Sequence, residues 1–157
     1  APWDPMFLWA EGHAALLQLQ GPAGYNDVFE SGIGAFEAAE ALSPHDTRLQ
    51  REHADLVLAE ALAQNDQALF EGAHGRYDAL MALDPNNGSL WIGRASALAG
   101  MDRWEDAVVD YERAVALVPG SIPGWASLAI AYEQVGRYQD AAKAQSTAEE
   151  LQLKLTE

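Results

Sequence analysis

The apolar positions of the chain follow one another at helical spacing, and their pattern repeats along the sequence. Phe29, Gly32, Phe36, Ala39 and Leu42 lie three or four residues apart, which predicts a helix with one apolar face. No stretch alternates apolar and polar residues for long enough to predict a strand. The same stripe returns from Phe70 to Leu83 with an offset of 41 in residue number. From there, equivalent positions step by 34: Phe70, Trp104 and Tyr138; Ala73, Ala107 and Ala141; Leu83, Leu117 and Leu151. A shared period of this length over several residue types predicts helix–turn–helix repeats.

Turn-forming residues divide this pattern into successive helices. Because a step of 41 is seven residues longer than 34, we expect an insertion in the helix of residues 46–64 or in the turn after it. The turn is Asn65–Asp66, and Asp66 is the expected cap of the next helix. The pattern predicts six other helices. The first two are Met6–Gln20, after an Asp4–Pro5 start, and a helix from Asn26 or Asp27 to about Leu42. The remaining four are Ser89–Ala99, Arg103–Val118, a helix from Ser121 to near Val135, and one that begins near Tyr138.

Capping residues are expected at both ends of the regular helices in the second half of the chain. Ser89, Asp102 and Ser121 are the predicted N-caps, since short polar side chains accept hydrogen bonds from the free N–H groups of a first helical turn. Gly100 and Gly136 are the predicted C′ residues, in equivalent positions, because glycine adopts the left-handed conformation that ends many helices.

Charge limits the classes of partner. The 157 residues include 24 acidic and 9 basic ones, for a net charge of -15. This charge repels a polyanion such as DNA and disfavours docking to anionic lipid. We therefore expect no nucleic-acid partner, and we keep two interpretations of the acidic surface. It either keeps the domain soluble or meets a basic partner.

Composition narrows the architecture further. With 49% hydrophobic residues, the chain is long enough for one domain with a real core. It has no cysteine, which excludes disulfides, zinc–thiolate sites and a cysteine nucleophile. No apolar run is long enough to predict membrane insertion, and no signal peptide is visible.

The chain starts at Ala1, so we expect it to be processed or excised from a longer protein. The compartment stays open between the cytoplasm and an extracytoplasmic domain of a membrane protein.

The order of residue types in the repeats resembles the tetratricopeptide repeat (TPR) family. The third repeat carries Trp91, Ala95, Leu98, Trp104, Ala107, Tyr111, Ala114 and Pro119; the fourth carries Trp125, Leu128, Ala129, Tyr132, Gly136, Tyr138, Ala141 and Ala148. Two earlier repeats match in their second helices, which end at Pro44 and Pro85. The resemblance implies an all-α fold, a right-handed superhelical stack of about four antiparallel helix pairs known as a TPR-like α-solenoid. It implies one domain over residues 1–157, with repeats at approximately 5–44, 45–85, 86–119 and 120–153.

In such repeats one helix pair cannot bury its own apolar face, so neighbouring pairs must stack. Small residues are then expected where helices approach each other, and aromatic residues are expected to fill the remaining space. We expect this packing role for Trp104, Tyr111, Trp125, Tyr132 and Tyr138.

Two positions near the C-terminus depart from the family pattern. Gln145 stands where an aromatic residue is expected, and Leu153 stands where a closing proline is expected. No polar capping helix follows, so Leu151, Leu153 and Leu155 are expected on an uncovered helix. This predicts either a longer native protein or self-association through the C-terminal helix.

A second, narrower resemblance concerns the opening of the chain. The Ala-Pro-Trp-Asp-Pro motif of residues 1–5, with proline-bounded helix pairs of irregular length, resembles the repeat tails of bacterial O-antigen ligase-type membrane glycan polymerases. This resemblance implies a soluble accessory domain beside a polytopic membrane part.

The sequence contains no motif that indicates catalysis. His13, His45, His53 and His74 lack the i, i+4 spacing of a helical metal pair, and each is expected at the surface or half-buried. The glycine run of residues 31–34 lies inside a predicted helix with no strand before it. Carboxylates are too numerous on so acidic a chain to predict a catalytic pair. We therefore expect no enzyme activity, no cofactor and no metal site.

Binding is the remaining class of function. By the family resemblance, the first helices of the pairs line a concave groove, which suits an amphipathic helix or an extended apolar segment. That segment belongs either to a partner or to the protein itself. One TPR subset grips a C-terminal carboxylate with Lys, Asn and Arg at the groove positions; their absence here disfavours that mode. The groove positions are Ser89, Ile92, Ser96 and Ala99 in the third repeat, and Pro123, Ala126, Ile130 and Glu133 in the fourth.

Two functional hypotheses follow. The first is a protein–protein interaction scaffold that holds a basic or amphipathic peptide or helix of a partner protein in this groove. The alternative is a soluble accessory domain of a bacterial membrane glycan polymerase of the O-antigen ligase type.

Overall fold

A computed structural model describes residues 25–155 of the chain, with side chains from residue 29 onward. The predicted helix Met6–Gln20 with its Asp4–Pro5 start, the motif of residues 1–5, and His13 lie outside the described residues. Residues 25–155 form seven α-helices and no strand, which confirms the all-α prediction. The helices are α1 (Tyr25–Leu42), α2 (Thr47–Gln64), α3 (Gln67–Leu83), α4 (Gly88–Gly100), α5 (Trp104–Leu117), α6 (Ile122–Gln134) and α7 (Tyr138–Lys154).

The chain divides into two compact units, residues 1–76 and residues 77–157, called here the N-terminal body and the C-terminal body. In the N-terminal body, α1 packs against α2. In the C-terminal body, α4 pairs with α5 and α6 pairs with α7, while α5 also packs against α6. The predicted arrangement of four repeats within a single domain stays a prediction.

The N-caps of α2, α4 and α6 occupy one equivalent position of the repeat, two residues after a proline. They are Asp46, Asn87 and Ser121, and each side chain accepts a hydrogen bond from a backbone N–H of the first turn. The prediction for Ser121 is confirmed. The prediction for Ser89 is wrong, because Ser89 already lies inside the helix, where its N–H donates to Asn87 Oδ1 at 3.2 Å.

The turns inside the last two pairs also correct the sequence analysis. Gly100 is the last helical residue of α4, and the left-handed residue after it is Asp102, with φ of 57°. Its equivalent in the next repeat is Gly136, with φ of 75°, so Gly136 is confirmed at C′ but Gly100 is not. Asp102 therefore ends α4 instead of capping α5, whose N-cap is Arg103 without a side-chain bond. Aspartate is one of the few non-glycine residues that tolerate this conformation.

The seven-residue insertion is shared between two helices. α2 has 18 residues, five more than the 13 of its counterpart α4. α3 begins three residues before Phe70, whereas α5 begins at the equivalent Trp104. The turn after α2 is one residue shorter, since Asn65 adopts the left-handed conformation, with φ of 52°, and a two-residue connection then suffices. The insertion thus lies at the end of α2, as predicted, and in the first turn of α3, but not in the turn between them.

One aromatic position of the second helices carries much of the core. Phe36, Tyr77 and Tyr111 occupy it in successive repeats, and they are 0%, 1% and 4% exposed. In the last repeat the position is Gln145, which is exposed and donates to Glu149 within its own helix. The sequence prediction of a departure at this position is therefore confirmed.

The other predicted packing residues divide into three groups. Tyr132 is buried, as expected, and Trp104 and Trp125 are half-buried against the core of the C-terminal body. The prediction is wrong for Tyr138, which is 71% exposed at the start of α7. At the equivalent position, Trp104 packs against a core that includes residues of the next helix pair. No helix follows α7 within residues 25–155, so Tyr138 has no such pair to pack against in this part of the chain. Of the three leucines expected on an uncovered helix, Leu153 near the end of α7 and Leu155 just after it are exposed, whereas Leu151 is half-buried.

Tyr77 packs closely against Gly93 in the first helix of the next pair. A Cβ atom built on Gly93 would lie 2.3 Å from Cζ of the Tyr77 ring, so only glycine fits there without movement. The equivalent residue of the next repeat is Ser127, beside the equivalent ring of Tyr111. Close contact between ring and small residue is therefore the way in which successive pairs meet in the C-terminal body.

Gly93→Ala tests this contact. The added methyl group overlaps a rigid aromatic ring, so we expect a loss of about 1–3 kcal/mol in the free energy of unfolding, measured by urea denaturation. Gly75→Ala in α3 is the matched control, because no side-chain atom lies within 4 Å of the added Cβ. That helical substitution should raise stability by about 0.5–1 kcal/mol. Equal effects of the two substitutions would contradict the assigned contact.

His53 is fully buried in the N-terminal body, contrary to the expectation of a surface or half-buried histidine. Its ring stacks on Phe36 at 5.7 Å between centroids, and its Nδ1 lies 3.0 Å from Oε1 of Glu40. Arg76 lies 3.7 Å from the other oxygen of Glu40. Burial and the charge of Arg76 lower the pKa of His53, and Glu40 opposes them. The expectation holds for His45, which is exposed, and for His74, which is half-buried.

This burial predicts a pH dependence of stability. The unfolded chain binds a proton at His53 near pH 6.5, while the folded chain resists it, so the free energy of unfolding should fall as the pH drops below about 6.5. Urea denaturation at pH 7.5 and 5.5 should show a larger loss for the wild type than for His53→Gln. His45→Gln is the control for an exposed histidine and should lose as much as the wild type. A wild-type loss matched by His53→Gln would overturn this assignment.

Candidate functional site

The two helices that carry the predicted groove residues, α4 and α6, lie in contact in the C-terminal body. Each is anchored at its start by a tryptophan. The Nε1 of Trp91 donates to the carbonyl oxygen of Pro85 at 2.9 Å, and the Nε1 of Trp125 donates to that of Pro119 at 2.8 Å. Because the two bonds are equivalent, the first turns of α4 and α6 begin in the same way after the proline of the preceding repeat.

None of the eight predicted groove residues is buried. Ile130 is 54% exposed on α6, and Ile92 on α4 is half-buried with part of its side chain against the core. We call the eight together the first-helix face, and their use in binding stays a prediction. The exposed ones are Ser89, Pro123, Ile130 and Glu133; the half-buried ones are Ile92, Ser96, Ala99 and Ala126.

Tyr111 of α5 contacts α4 through its hydroxyl group, whose oxygen lies 2.9 Å from Oγ of Ser96. Ser127 on α6 lies close enough to the same hydroxyl group to affect its pKa. Burial raises the pKa of Tyr111, so the hydroxyl stays protonated and can donate. Ser127 is a residue that the sequence analysis missed. Its signal was the 34-residue step from Gly93, which places it on the same side of its helix.

Arg94 is the basic residue of α4, and carboxylates hold it. Its Nε and Nη2 donate to the two oxygens of the buried Asp110 at 2.7 and 2.8 Å, and its Nη1 pairs with Asp78. These bonds raise the pKa of Arg94. The guanidinium group also lies 5.0 Å from the centroid of the Trp91 ring. Arg94 is therefore engaged within the body and does not offer a free charge to an anionic ligand.

A second polar contact fixes α6 against α5. The hydroxyl of Tyr132 donates to Glu112 at 2.8 Å, and burial together with Glu112 raises the pKa of Tyr132 to about 12. Arg137 contacts the same oxygen of Glu112 at 3.1 Å and lies 4.3 Å from the centroid of the Tyr132 ring. Hydroxyl groups thus connect α5 with both first helices, since Tyr111 of α5 contacts Ser96 of α4 and Tyr132 of α6 donates to Glu112 of α5.

Neither a metal cluster nor a membrane-spanning helix is found in the described part of the chain. Among residues 25–155, no group of three or more histidine, aspartate or glutamate residues is arranged to hold a metal ion. None of the seven helices is both long and apolar enough to cross a membrane.

Comparisons with known proteins indicate the class of protein to which this fold belongs. No protein-family model matches the chain. It is similar to the Hsp70-Hsp90 organizing protein of Triticum aestivum, with 35% identity over 91 residues, or 58% of this chain and 16% of that protein. It is also similar to the STIP1 homolog of Dictyostelium discoideum, with 33% identity over 67 residues, or 43% of this chain and 12% of that protein. Either match covers less than a fifth of the relative's own length.

Solved structures with the same fold extend over nearly the whole chain. A structure of MamA from Desulfovibrio magneticus RS-1 superposes with a TM-score of 0.76 at 19% identity, covering 96% of this chain and 77% of that one. Another crystal structure of MamA gives a TM-score of 0.76 at 17% identity, covering 99% and 82%. At these identities the likeness shows the fold alone.

The helix pairs, their 34-residue period and these similarities define an all-α, TPR-like repeat protein. The relatives and the shared fold support the first resemblance, to the tetratricopeptide repeat. The second resemblance, to glycan polymerases, gains no support from the relatives.

Proposed function

We propose that the protein is a protein–protein interaction scaffold, and that the first-helix face of the C-terminal body binds a peptide or helix of a partner protein. The observation that carries this proposal is the exposed side chain of Ile130, with Ile92 half-buried on the contacting helix. Removing such apolar side chains from water on binding is favourable by about 25 cal/mol per Å². The contact of α4 with α6, and the hydrogen bonds that join each of them to α5, support a preformed surface.

The chemistry of the face suggests an amphipathic partner with basic flanks. Its small and apolar residues suit the apolar stripe of a helix, while Glu133 is an exposed carboxylate at its end. The net charge of -15 favours the approach of a basic segment. The relatives named above are, by name, an organizer of Hsp70 and Hsp90 and its homolog. That likeness supports partner binding here, but a groove without Lys, Asn or Arg disfavours a partner's C-terminal carboxylate.

We propose binding and no catalytic activity, because neither the sequence nor the first-helix face supplies a nucleophile with a base beside it.

We also propose a surface for self-association. Leu153 near the end of α7 and Leu155 just after it are 64% and 74% exposed. Sedimentation velocity separates a dimer from a monomer, and a monomer at all concentrations would contradict this second proposal.

Ile130→Asp tests the main proposal. Peptides selected from a library of amphipathic, basic helices against the purified protein should bind it with a measurable Kd, and Ile130→Asp should weaken that binding more than tenfold. The reason is that a charge replaces the apolar contact at the centre of the face. Fluorescence anisotropy with a labelled peptide measures the change, and circular dichroism checks that the helices remain.

Val109→Asp is the matched control. Val109 is 62% exposed on α5, a second helix, so it receives the same substitution in the same body but outside the first-helix face. Binding should change less than twofold. If no peptide is selected, or if both variants weaken binding equally, the first-helix face is not the binding surface.

A further inference from the structure

Helix α7 exposes a stripe of residues on the side that faces away from the core. Its buried residues are Ala141, Ala144 and Ala148. On the opposite side, exposed residues follow one another at alternating spacings of three and four, which keeps them on one face of the helix. We call these residues the outer stripe: Gln139, Ala142, Ser146, Glu149 and Leu153.

The side chains of α7 do not suit a further helix pair of the same kind. In the preceding repeat, Tyr111 and Val115 are buried in a core that includes residues of the next pair. The equivalent residues of α7 are Gln145 and Glu149, and both are exposed. A further pair would bury the carboxylate of Glu149, which costs free energy unless the occupant brings a positive charge to it.

Helix α7 also carries the lysine residues of this acidic chain. The net charge of the 157 residues is -15, and both lysines, Lys143 and Lys154, lie on α7. The side chain of Lys143 is 77% exposed, with Nζ 3.5 Å from Oδ1 of Asp140. An exposed ion pair of this kind contributes little stability, so the ammonium group remains accessible to a second carboxylate.

The residues of α7 are arranged symmetrically about Ser146. Lys143 stands three residues before Ser146 and Glu149 three residues after it, while Gln139 and Leu153 stand seven before and seven after. If two copies of α7 run in opposite directions with Ser146 facing its own copy, Lys143 of each therefore lies beside Glu149 of the other. Leu153 of each copy then lies against the methylene groups of Gln139 of the other.

Two copies of α7 that run in the same direction lack this complementarity. Each residue would lie beside its own copy, so the adjacent carboxylates of Glu149 and Glu150 would repel those of the second helix. The antiparallel pair replaces this repulsion with two equivalent ion pairs, because a two-fold axis applies each contact twice. The small side chains of Ala142 and Ser146 allow the two helices to approach closely in the middle of the contact.

We infer that two copies of the protein associate through antiparallel pairing of their α7 helices, with the two-fold axis at Ser146 and with Lys143 of each copy paired to Glu149 of the other. This inference rests on the self-association proposed above and adds the direction and the register of the contact. A contact along one helix of 17 residues is small, so the dimer should be reversible.

Cysteine cross-linking tests the direction, because the chain contains no cysteine of its own. On oxidation with copper phenanthroline, Ser146→Cys should form a disulfide-linked dimer. Gln139→Cys alone and Leu153→Cys alone should stay unlinked, because the two copies of either thiol lie about 21 Å apart along an antiparallel pair. An equal mixture of these two variants, one of them carrying a tag that changes its size on a gel, should form the linked heterodimer.

Ala116→Cys controls for random collision, because Ala116 is exposed on α5, outside the outer stripe. It should form less than one-tenth of the linked dimer that Ser146→Cys forms. Sedimentation velocity of the unmodified protein, over the same concentrations, measures self-association itself.

Three outcomes contradict the inference in different ways. A monomer at all concentrations would contradict the proposed self-association and the inference with it. A dimer in which Gln139→Cys and Leu153→Cys each link to themselves would show a parallel pair, which overturns the inference and leaves self-association in place. A dimer in which no thiol of the outer stripe links more than Ala116→Cys would place the contact on another surface.

Exchange of charge tests the register. Lys143→Glu should raise the Kd of the dimer at least tenfold, because a second carboxylate then faces Glu149. The double variant Lys143→Glu with Glu149→Lys should return the Kd to within threefold of the wild type, since it restores both ion pairs with their signs reversed. Arg113→Glu makes the same change of charge at an exposed residue of α5 and should alter the Kd less than threefold. Equal weakening by Lys143→Glu and Arg113→Glu, or no recovery in the double variant, would overturn the assigned register.

Discussion

The structure depends on an aromatic ring from the second helix of one pair packing against the first helix of the next. Phe36, Tyr77 and Tyr111 are three copies of this ring. A pair of helices leaves one apolar face uncovered, and only the neighbouring pair can remove it from water. The fold therefore requires this contact, whereas the residue against which the ring packs differs from one repeat to the next.

The three receiving sites differ in chemistry. Phe36 stacks on the imidazole of His53. Tyr77 lies against the bare backbone of Gly93, where a methyl group does not fit. The hydroxyl group of Tyr111 lies at hydrogen-bond distance from Ser96, and Ser127, the residue equivalent to Gly93, lies near it.

These differences explain where polar groups enter the interior. His53 and Arg94 occupy equivalent positions on the first helices of successive repeats, and each pairs with a carboxylate. Asp110 is the buried charge of the second pair, so losing Arg94 would leave that carboxylate without its compensating partner. The same contacts leave Ile130 and Glu133 of the first-helix face exposed, while Ile92 packs partly against the core. The surface proposed for binding therefore shares some of its residues with the stacking of the helices.

Much of the fold could be predicted from the sequence because it depends on periodicity. The helices, the buried Ala107 and Tyr111, and the departure at Gln145 all follow from the 34-residue step. The residues that cap and end the helices were harder to predict. Ser89 and Asn87 are both good caps, and propensity alone does not choose between them. Asp102 was mistaken for a cap because aspartate is favoured there and is also tolerated in the left-handed conformation.

The tertiary contacts could not be read from one sequence. Nothing in its spacing distinguishes His53 from His45 or His74, so its burial against Phe36 could not be predicted. Tyr138 matches the family pattern and is exposed, because burial depends on a following helix pair and not on the residue itself. The first-helix face was named from the family resemblance, and its exposure is what the structure adds.

The most direct test of the account is an NMR measurement of the ring contact between adjacent pairs. Nuclear Overhauser effects should connect the ring protons of Tyr77 with the α protons of Gly93, and ring currents should shift those α protons from their usual frequency. Absence of both signals in the folded protein would contradict the packing on which the rest of the structure depends.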